Sequence, residues 1–379
     1  MKKKIFAALI AATMVASSLV GCGSQGASTG SSAEMKVAMV TDYGDITDQS
    51  FNQSTYEACK AFGDANKVDF TYYKPEGDSD AERVAMIDKA VADGYNVIVM
   101  PGYAFAGAIK DTADTYPDVK FVALDVSEYD LEGDSSDFNN ETFANVFSAV
   151  YQEELPGYMA GYAAVKMGYT KLGFLGGMAV PAVIRYGYGF VQGADAAAAE
   201  LGADVEINYA YGNQFYGDSD ITAAMDTWYQ GGTEVVFACG GGIFTSAGEA
   251  AAKVGGKVIG VDVDQAKTID GMFESGMTVT SAMKGLQATV NTLLTAIKDG
   301  NWDSYAGKIL NLGLVSADDM SLNYVGLADS TIWPDGFTEA DYKQLVADMV
   351  NGKITVSNDS SAEQPSATTA KINFQGNIK

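Results

Sequence analysis

From Met35 onward, short apolar runs rich in β-branched residues alternate with longer runs whose apolar positions recur at helical spacing. The first series reads as strands Val37–Val40, Asp69–Tyr73, Val97–Met100 and Phe121–Asp125. Between them the spacing predicts helices over Phe51–Phe62, Asp80–Asp93 and Ala106–Thr115. The acidic, Ser/Asn-rich interval Val126–Asn145 breaks the pattern and predicts a loop with a strand crossing between lobes. A second series follows the helix Glu153–Met167, with strands Leu172–Leu175, Val205–Tyr211, Val235–Cys239 and Val258–Asp262. Its helices are Val180–Leu201, Ser219–Gln230 and Thr245–Val254. A short strand Met277–Met283 and a helix Gly285–Asp299 come next, and Lys308–Leu327 reads as strands that return across the lobes.

Regular strand–helix alternation is the pattern of parallel βαβ units, so the fold class is α/β. Two such series without a Pro/Gly/Ser-rich linker predict one domain over residues 35–356, built as two Rossmann-like lobes around a ligand cleft. Lobe 1 is expected over about 35–150 plus 270–310, and lobe 2 over about 151–265 plus the C-terminal return. The Ser/Thr-rich residues 357–379 predict a loosely ordered tail.

The first residues stand outside this pattern. Lys2, Lys3 and Lys4 precede an apolar Ile5–Val20, and Leu19-Val20-Gly21-Cys22 closes the run in the manner of a bacterial lipobox. Residues 1–21 therefore read as a processed signal, with Cys22 as the lipidated N-terminus of the mature chain. More than one acyl chain anchors a protein stably, which predicts attachment to the extracytoplasmic face of the cell membrane. Gly23–Glu34 is a Gly/Ser/Ala tether with a root-mean-square reach of about 20 Å.

The chain carries a net charge of −25, which becomes −28 when three lysines and no acid leave with the signal. Such acidity disfavours nucleic acid as a partner. The absence of any histidine removes histidine-based triads, histidine-ligated zinc and histidine general bases. No cofactor or metal is called for. Cys59 and Cys239 fall in apolar runs and are expected as buried free thiols.

In a doubly wound sheet the strand C-termini point into the ligand crevice. Standing there are Asp42, Gly102 with Phe105, Asp125, Gly176-Gly177, Phe215, Gly240-Gly241-Gly242 and Asp262. Phe51 and Asn52 open the first helix, and Lys284 follows the strand at Met277–Met283. Glycines allow close backbone approach. Carboxylates accept hydrogen bonds from hydroxyls or from the N–H edge of a base. An unpaired buried carboxylate costs several kcal/mol, so these acids need donors from a ligand or a cation such as Lys284. The Gly240 run lacks the GxGxxG spacing of a dinucleotide site. Each residue alone has a plainer reading, as helix cap, core aromatic, tight turn or surface charge. Three acids, two aromatics and a lysine at corresponding strand ends instead predict a site for a flat ligand with polar edges.

Several of these residues sit in motifs with a known resemblance. DYGDITDQSFNQSTYEA (Asp42–Ala58) resembles the opening of the basic membrane protein family of bacterial lipoproteins, the purine nucleoside receptor type of ABC-transporter substrate-binding proteins. FVALD, EELPGYMAGYAA, KLGFLGG, IRYGYGFVQGA, KVIGVDVDQ and TVTSAMK continue the resemblance from about Val37 to Leu327. It implies the type I periplasmic-binding-protein fold. It also implies that Phe51 stacks on a base, that Asp42 and Asp125 bond its polar edge, and that Asn52 belongs to the same site. Asp262 and Lys284 would hold ribose hydroxyls, helped by a backbone N–H near Gly240. Phe215 would be the second stacking ring, with Tyr186 as the substitute. The YGNQFYGD loop is one residue longer than the family's, and GGGIF departs from its usual G-x-T-G-x-G. Asp45 and Asp48 are left as turn and helix-cap residues.

The resulting expectation is a lipid-anchored binding protein, not an enzyme, that closes on a nucleoside, purine preferred, and hands it to an ABC permease with its ATPase. The alternatives are a binder of riboflavin or a free nucleobase, a carboxylate-based nucleoside or glycoside hydrolase, and a surface adhesin without a small ligand.

Overall fold

A computed structural model describes residues 34–132 and 142–379; the expected signal, Cys22 and nearly all of the tether lie outside the described residues. The strands are β1 Lys36–Val40, β2 Asp69–Tyr73, β3 Val97–Pro101, β4 Lys120–Leu124, β5 Val146–Tyr151, β6 Lys171–Gly176, β7 Glu206–Tyr211, β8 Val235–Cys239, β9 Lys257–Asp262, β10 Thr278–Lys284, β11 Lys308–Leu312, β12 Val325–Leu327 and β13 Lys371–Asn377. The helices are α1 Phe51–Asn66, α2 Asp80–Ala92, α3 Ala106–Thr112, α4 Glu128–Glu132, α5 Glu154–Lys166, α6 Pro181–Leu201, α7 Ser219–Gln230, α8 Phe244–Ala252, α9 Ala266–Met272, α10 Leu286–Lys298 and α11 Glu339–Val350.

The strands form two sheets, which explains their unbroken apolar runs: each is covered on both faces. The first, in order β2-β1-β3-β4-β5-β11, is parallel throughout. Val37, Val97, Val99, Val122 and Leu124 turn to one side, under α1 and α10. Their neighbours Ala38, Ile98, Met100, Phe121 and Ala123 turn to the other, under α2 and α3. The second sheet, in order β13-β7-β6-β8-β9-β10-β12, is parallel except for β12. Leu172, Phe174, Ile207, Tyr209 and Phe237 pack beneath α5 and α6. Leu175, Ala210, Val236, Ala238 and Val258 pack beneath α7 and α8.

The chain passes between the sheets at three places: from β5 into α5, from β10 through Gly285 into α10, and from β11 to β12. Two expectations about the lobes are corrected here. The span 270–310 does not belong wholly to the first lobe, because β10 pairs with β9 and sends Val279 and Ala282 into the second core. Only α10 and β11 join the first sheet's side. The crossing strand expected before residue 145 is β5, which starts at Val146 and is an integral strand of the first sheet.

The expectation of a loosely ordered tail is also corrected. Residues Lys371–Asn377 pair with β7 as a further parallel strand. Ser/Thr content upstream concealed a period-two run, K-I-N-F-Q, whose Ile372 and Phe374 pack against the second core. Before it, α11 carries a capping box between Thr338 and Asp341 and buries Tyr342, Leu345, Val346 and Met349.

The contact of α5 with α6 is unusually close. A Cβ on Gly157 or Gly161 of α5 would lie 2.2 or 2.0 Å from the carbonyl oxygen of Tyr186 or Phe190. Reciprocally, a Cβ on Gly189 or Gly193 of α6 would lie 2.1 or 2.0 Å from that of Glu154 or Tyr158. Glycines four apart on both helices thus let backbone meet backbone. Cys59 and Cys239 are free and buried, as expected. We predict that Gly161→Ala lowers unfolding stability in urea by about 1–3 kcal/mol despite alanine's better helix propensity. Gly271→Ala in α9, with open space around it, serves as the control and loses nothing.

Candidate functional site

Both sheets share one strand order around their first strand: β2-β1-β3-β4 in the first and β7-β6-β8-β9 in the second. The chain therefore reverses its direction of winding between β1 and β3 and between β6 and β8. Loops leaving the strand ends part at those points and leave a crevice. Asp42 and Gly102 stand at the first, Gly177 and Gly240 at the second, and a single cavity of about 660 Å³ is lined by Asp42, Gly102 and Gly240. That volume lies in the range of small-molecule sites.

The structure gathers Asp42, Phe51, Asn52, Asp125, Phe215, Gly240, Asp262 and Lys284 around this cavity. Tyr186 is not among them. It is 1% exposed in the second core, where its hydroxyl donates to the Ala282 carbonyl at 3.3 Å and its ring lies edge-on to Phe237. Its place on the inward stripe of α6 decides this, so the substitute stacking role is withdrawn.

The loop after β1 is built around two carboxylates. Asp42 Oδ1 accepts from the N–H groups of Tyr43 and Gly44, both at 2.7 Å, and from Asn52 Nδ2 at 3.2 Å. Its Oδ2 accepts no hydrogen bond from the described residues. Burial raises the Asp42 pKa against the pull of those donors. Asp48 Oδ1 accepts from the N–H groups of Ser50 and Gln53, and its Oδ2 from that of Asn52, at 2.9–3.0 Å. Asp48 thus satisfies the open donors at the start of α1. Asp45 bonds Thr47 and Lys74. The same loop reaches the second lobe: Ser50 Oγ donates to Asp262 Oδ2 at 2.6 Å, and Gln265 Nε2 to the Gln49 carbonyl at 3.0 Å.

Asp125 and Asp262 close strands β4 and β9 at φ +63° and +64°. A left-handed aspartate is uncommon, and strain of this kind gathers at functional sites. Asp125 Oδ2 accepts from Lys284 Nζ at 2.6 Å, while its buried Oδ1 has no hydrogen-bond partner. Burial pushes the Asp125 carboxyl up to about 6, with Lys284 opposing the rise.

Lys284 is 5% exposed at the second crossing between the sheets. Its Nζ lies 2.6 Å from Asp125, 3.0 Å from Glu153 Oε1, and 4.9 Å from the centre of the Phe51 ring. Glu153 in turn holds Arg185 Nε at 2.6 Å. Burial works against the ammonium, yet Asp125, Glu153 and Asp262 outweigh it and hold the Lys284 pKa above the usual lysine value. Burial equally opposes the Glu153 charge, and Lys284 with Arg185 keeps its carboxyl below the ordinary range.

The glycine clusters at Gly177 and Gly240 make room for an aromatic ring. A Cβ on Gly177 would come within 2.4 Å of Phe215 Cδ1, and one on Gly240 within 2.8 Å. Gly242 N–H fixes the same loop by donating to the Phe215 carbonyl at 2.8 Å.

Residues 35–324 match the family model described as ABC transporter substrate-binding protein PnrA-like, Bmp. The chain belongs to the Bmp family. Among its relatives, the ABC transporter nucleoside-binding protein BmpA of Lactococcus lactis is 30% identical, over 94% of this chain and 99% of that protein. Basic membrane protein B of Borreliella burgdorferi is 29% identical over 78% of this chain and 83% of its own length. An ABC transporter solute-binding protein of Aeropyrum pernix shares the fold at TM-score 0.65 and 22% identity, covering 86% of this chain and 88% of that structure. The periplasmic-binding-protein-like fold implied by the family resemblance is therefore present. Family membership makes this a substrate-binding protein of an ABC transporter and not an enzyme, which sets aside the hydrolase alternative. No helix among the described residues is long and apolar enough to cross a membrane. Two archaeal relatives are named lipoproteins.

Within this Bmp-family site, Glu154 and Arg185 were not expected from sequence, though both line the cavity. Glu154 Oε2 is buried without a hydrogen-bond partner, and burial pushes the carboxyl up to about 7, with Glu153 adding to the rise and Arg185 opposing it. The adjacent acids of EELPGY, just past a strand, were the available signal.

Removing Lys284 would leave Asp125 and Glu153 buried without their shared cation. Lys284→Met should cost about 3–5 kcal/mol in urea denaturation of the ligand-free protein. The raised carboxyls predict a pH dependence. A carboxyl whose pKa rises on folding favours the folded state when protonated, so that stability is lost as pH climbs from its ordinary value towards its folded one. For Glu154 that window runs from about 4.5 to about 7. Thermal melts of the ligand-free protein should fall across it. Glu154→Gln should raise the melting temperature at pH 7.5 and leave it unchanged at pH 4.5.

Proposed function

We propose that this chain is the nucleoside receptor of an ABC importer, purine preferred, anchored outside the cytoplasmic membrane through a lipid on Cys22. The observation that carries the reading is the meeting, in one cavity, of an aromatic ring from each lobe with carboxylates from both. Phe51 from the first lobe and Phe215 from the second stack on the base, each contributing about 1–3 kcal/mol. Asp42 Oδ2 and Asp125 Oδ1, which accept no hydrogen bond from the described residues, accept from the polar edge of the base. Asp262 and Lys284 serve the ribose hydroxyls, with Gly240 at their side and Asn52 holding Asp42 in place.

The ligand touches both lobes and so binds best when they are closed, which is what drives closure about the crossings. The acid-rich lining disfavours phosphate esters, so the solute enters as a neutral nucleoside. The loaded protein then docks on the permease, whose ATPase drives import. The name of the Lactococcus lactis relative supports this reading.

Calorimetric titration with adenosine, guanosine, inosine, uridine, adenine and riboflavin tests it. Purine nucleosides should bind best; tighter binding of riboflavin or adenine would overturn the assignment. Phe51→Ala and Asp262→Ala should each weaken nucleoside binding at least about tenfold, with melting temperatures little changed. Unchanged affinity in both would refute the placement of the site.

A further inference from the structure

Residues 357–379 lie beyond the segment matched by the family, yet they run from the mouth of the cavity to the loop that carries Phe215. At its start this segment is strapped to one stripe of α6. Gln192 exchanges two hydrogen bonds with the Ser357 backbone, each at 2.9 Å. Tyr188 Oη donates to the Ala362 carbonyl at 2.5 Å. The Asp195 carboxylate accepts from the N–H groups of Thr368, Thr369 and Ala370 at 2.6–3.1 Å. Positions 188, 192 and 195 share one face of the helix. The N-terminal turns of that helix, through Pro181, Ala182 and Arg185, line the cavity. The strap places Asn358, an exposed side chain with both donor and acceptor, in the cavity wall.

At its end the segment grips the second lobe's aromatic loop. Strand β13 pairs with β7, whose C-terminus leads directly into that loop. Ile378 N–H donates to the Tyr211 carbonyl at 2.8 Å. Lys379 Nζ bonds Asp218 and reaches Gln214 Oε1 at 3.4 Å. Gln214 Nε2 donates in turn to Asp218 and to the Tyr216 carbonyl, both at 2.9 Å. Phe215 is therefore held from two sides, with the glycine turns at Gly177 and Gly240 against its ring and Lys379 bonded to residues on either side of it.

We infer that residues 357–379 are a ligand-retaining element of the site: Asn358 contacts the solvent-facing part of the bound ligand, and β13 with Lys379 fixes the loop that presents Phe215. The contact at Asn358 rests on the nucleoside reading above; the clamp on the loop does not. Lys379 is a positioning residue, acting through Gln214 and Asp218 on a ring it does not touch. A preset ring costs the ligand less to order, so the clamp slows dissociation more than it speeds association.

Hydrogen exchange of the ligand-free protein tests the clamp directly. Removing residues 371–379, or Lys379→Ala where the shortened chain folds poorly, should speed exchange at amides 213–218 at least about threefold, and Lys379→Arg should restore protection. Unchanged exchange in Lys379→Ala and in the shortened chain overturns the clamp, whether or not any nucleoside binds. Titration of the intact chain, Asn358→Ala and Lys379→Ala with adenosine and guanosine tests retention. The expected results are a loss of affinity of about threefold or more in each variant, and for Lys379→Ala a faster off-rate with an on-rate within twofold. Affinities equal to that of a nucleoside-binding intact chain overturn the retaining role. An intact chain that binds neither nucleoside overturns the nucleoside reading and the Asn358 contact with it, leaving the clamp to the exchange result.

Discussion

A buried lysine holds the two halves of this protein in register. Lys284 ends β10 of the second sheet and stands one residue before the chain passes to the first. Asp125 from the first lobe and Glu153 from the neighbouring crossing converge on its ammonium, and Arg185 from the second lobe completes the chain of charges. An ammonium and two carboxylates out of water are each costly, and only their mutual contact offsets the loss of hydration. The network therefore fixes the relation of both crossings to the floor of the cleft. It also fixes the ligand's electrostatic surroundings, because the same lysine lies over the Phe51 ring.

Around that charged floor, close approach is bought with glycine. Gly157 and Gly161 meet Gly189 and Gly193 where α5 and α6 lie backbone on backbone, and α6 then presents Arg185 to Glu153. Gly177 and Gly240 clear the volume taken up by Phe215. Motifs that mark the family thus serve packing as much as contact with a ligand. The carboxylates divide in the same way. Asp48 caps a helix, Asp262 meets the other lobe through Ser50, and Asp42 and Asp125 each turn one oxygen to the protein and keep the other free of donors among the described residues.

Much of the architecture was legible in the sequence, for identifiable reasons. Strands buried on both faces must be nearly continuous runs of apolar residues, and their helices must repeat at 3.6, so element type and order follow from local composition. Strand ends in a doubly wound sheet point at the crevice, which made Asp42, Asp125 and Asp262 readable as one set. Glu154 was signalled only by the paired acids of EELPGY, and Arg185 by nothing local. Their side chains reach the cavity only because α5 and α6 pack at a particular depth. Tyr186 misled for the same reason, since its motif is satisfied equally by a cavity wall and by the core behind it.

The sequence by itself determined the two series of βαβ units, the acidic and aromatic character of the strand ends, and the lack of any histidine chemistry. These are properties of short windows or of composition, and no distant contact is needed to specify them. Only the tertiary structure decided which sheet receives β10, that Lys371–Asn377 is a strand, which oxygen of Asp125 meets the lysine, and that Lys284 joins two lobes. Each depends on hydrogen-bond register or on charges brought together from positions more than a hundred residues apart in the chain, such as Asp125 and Lys284. Local pattern carries the propensity for a strand or a charge. Its partner is chosen by the energy of burial, which exists only once the whole chain has closed around it.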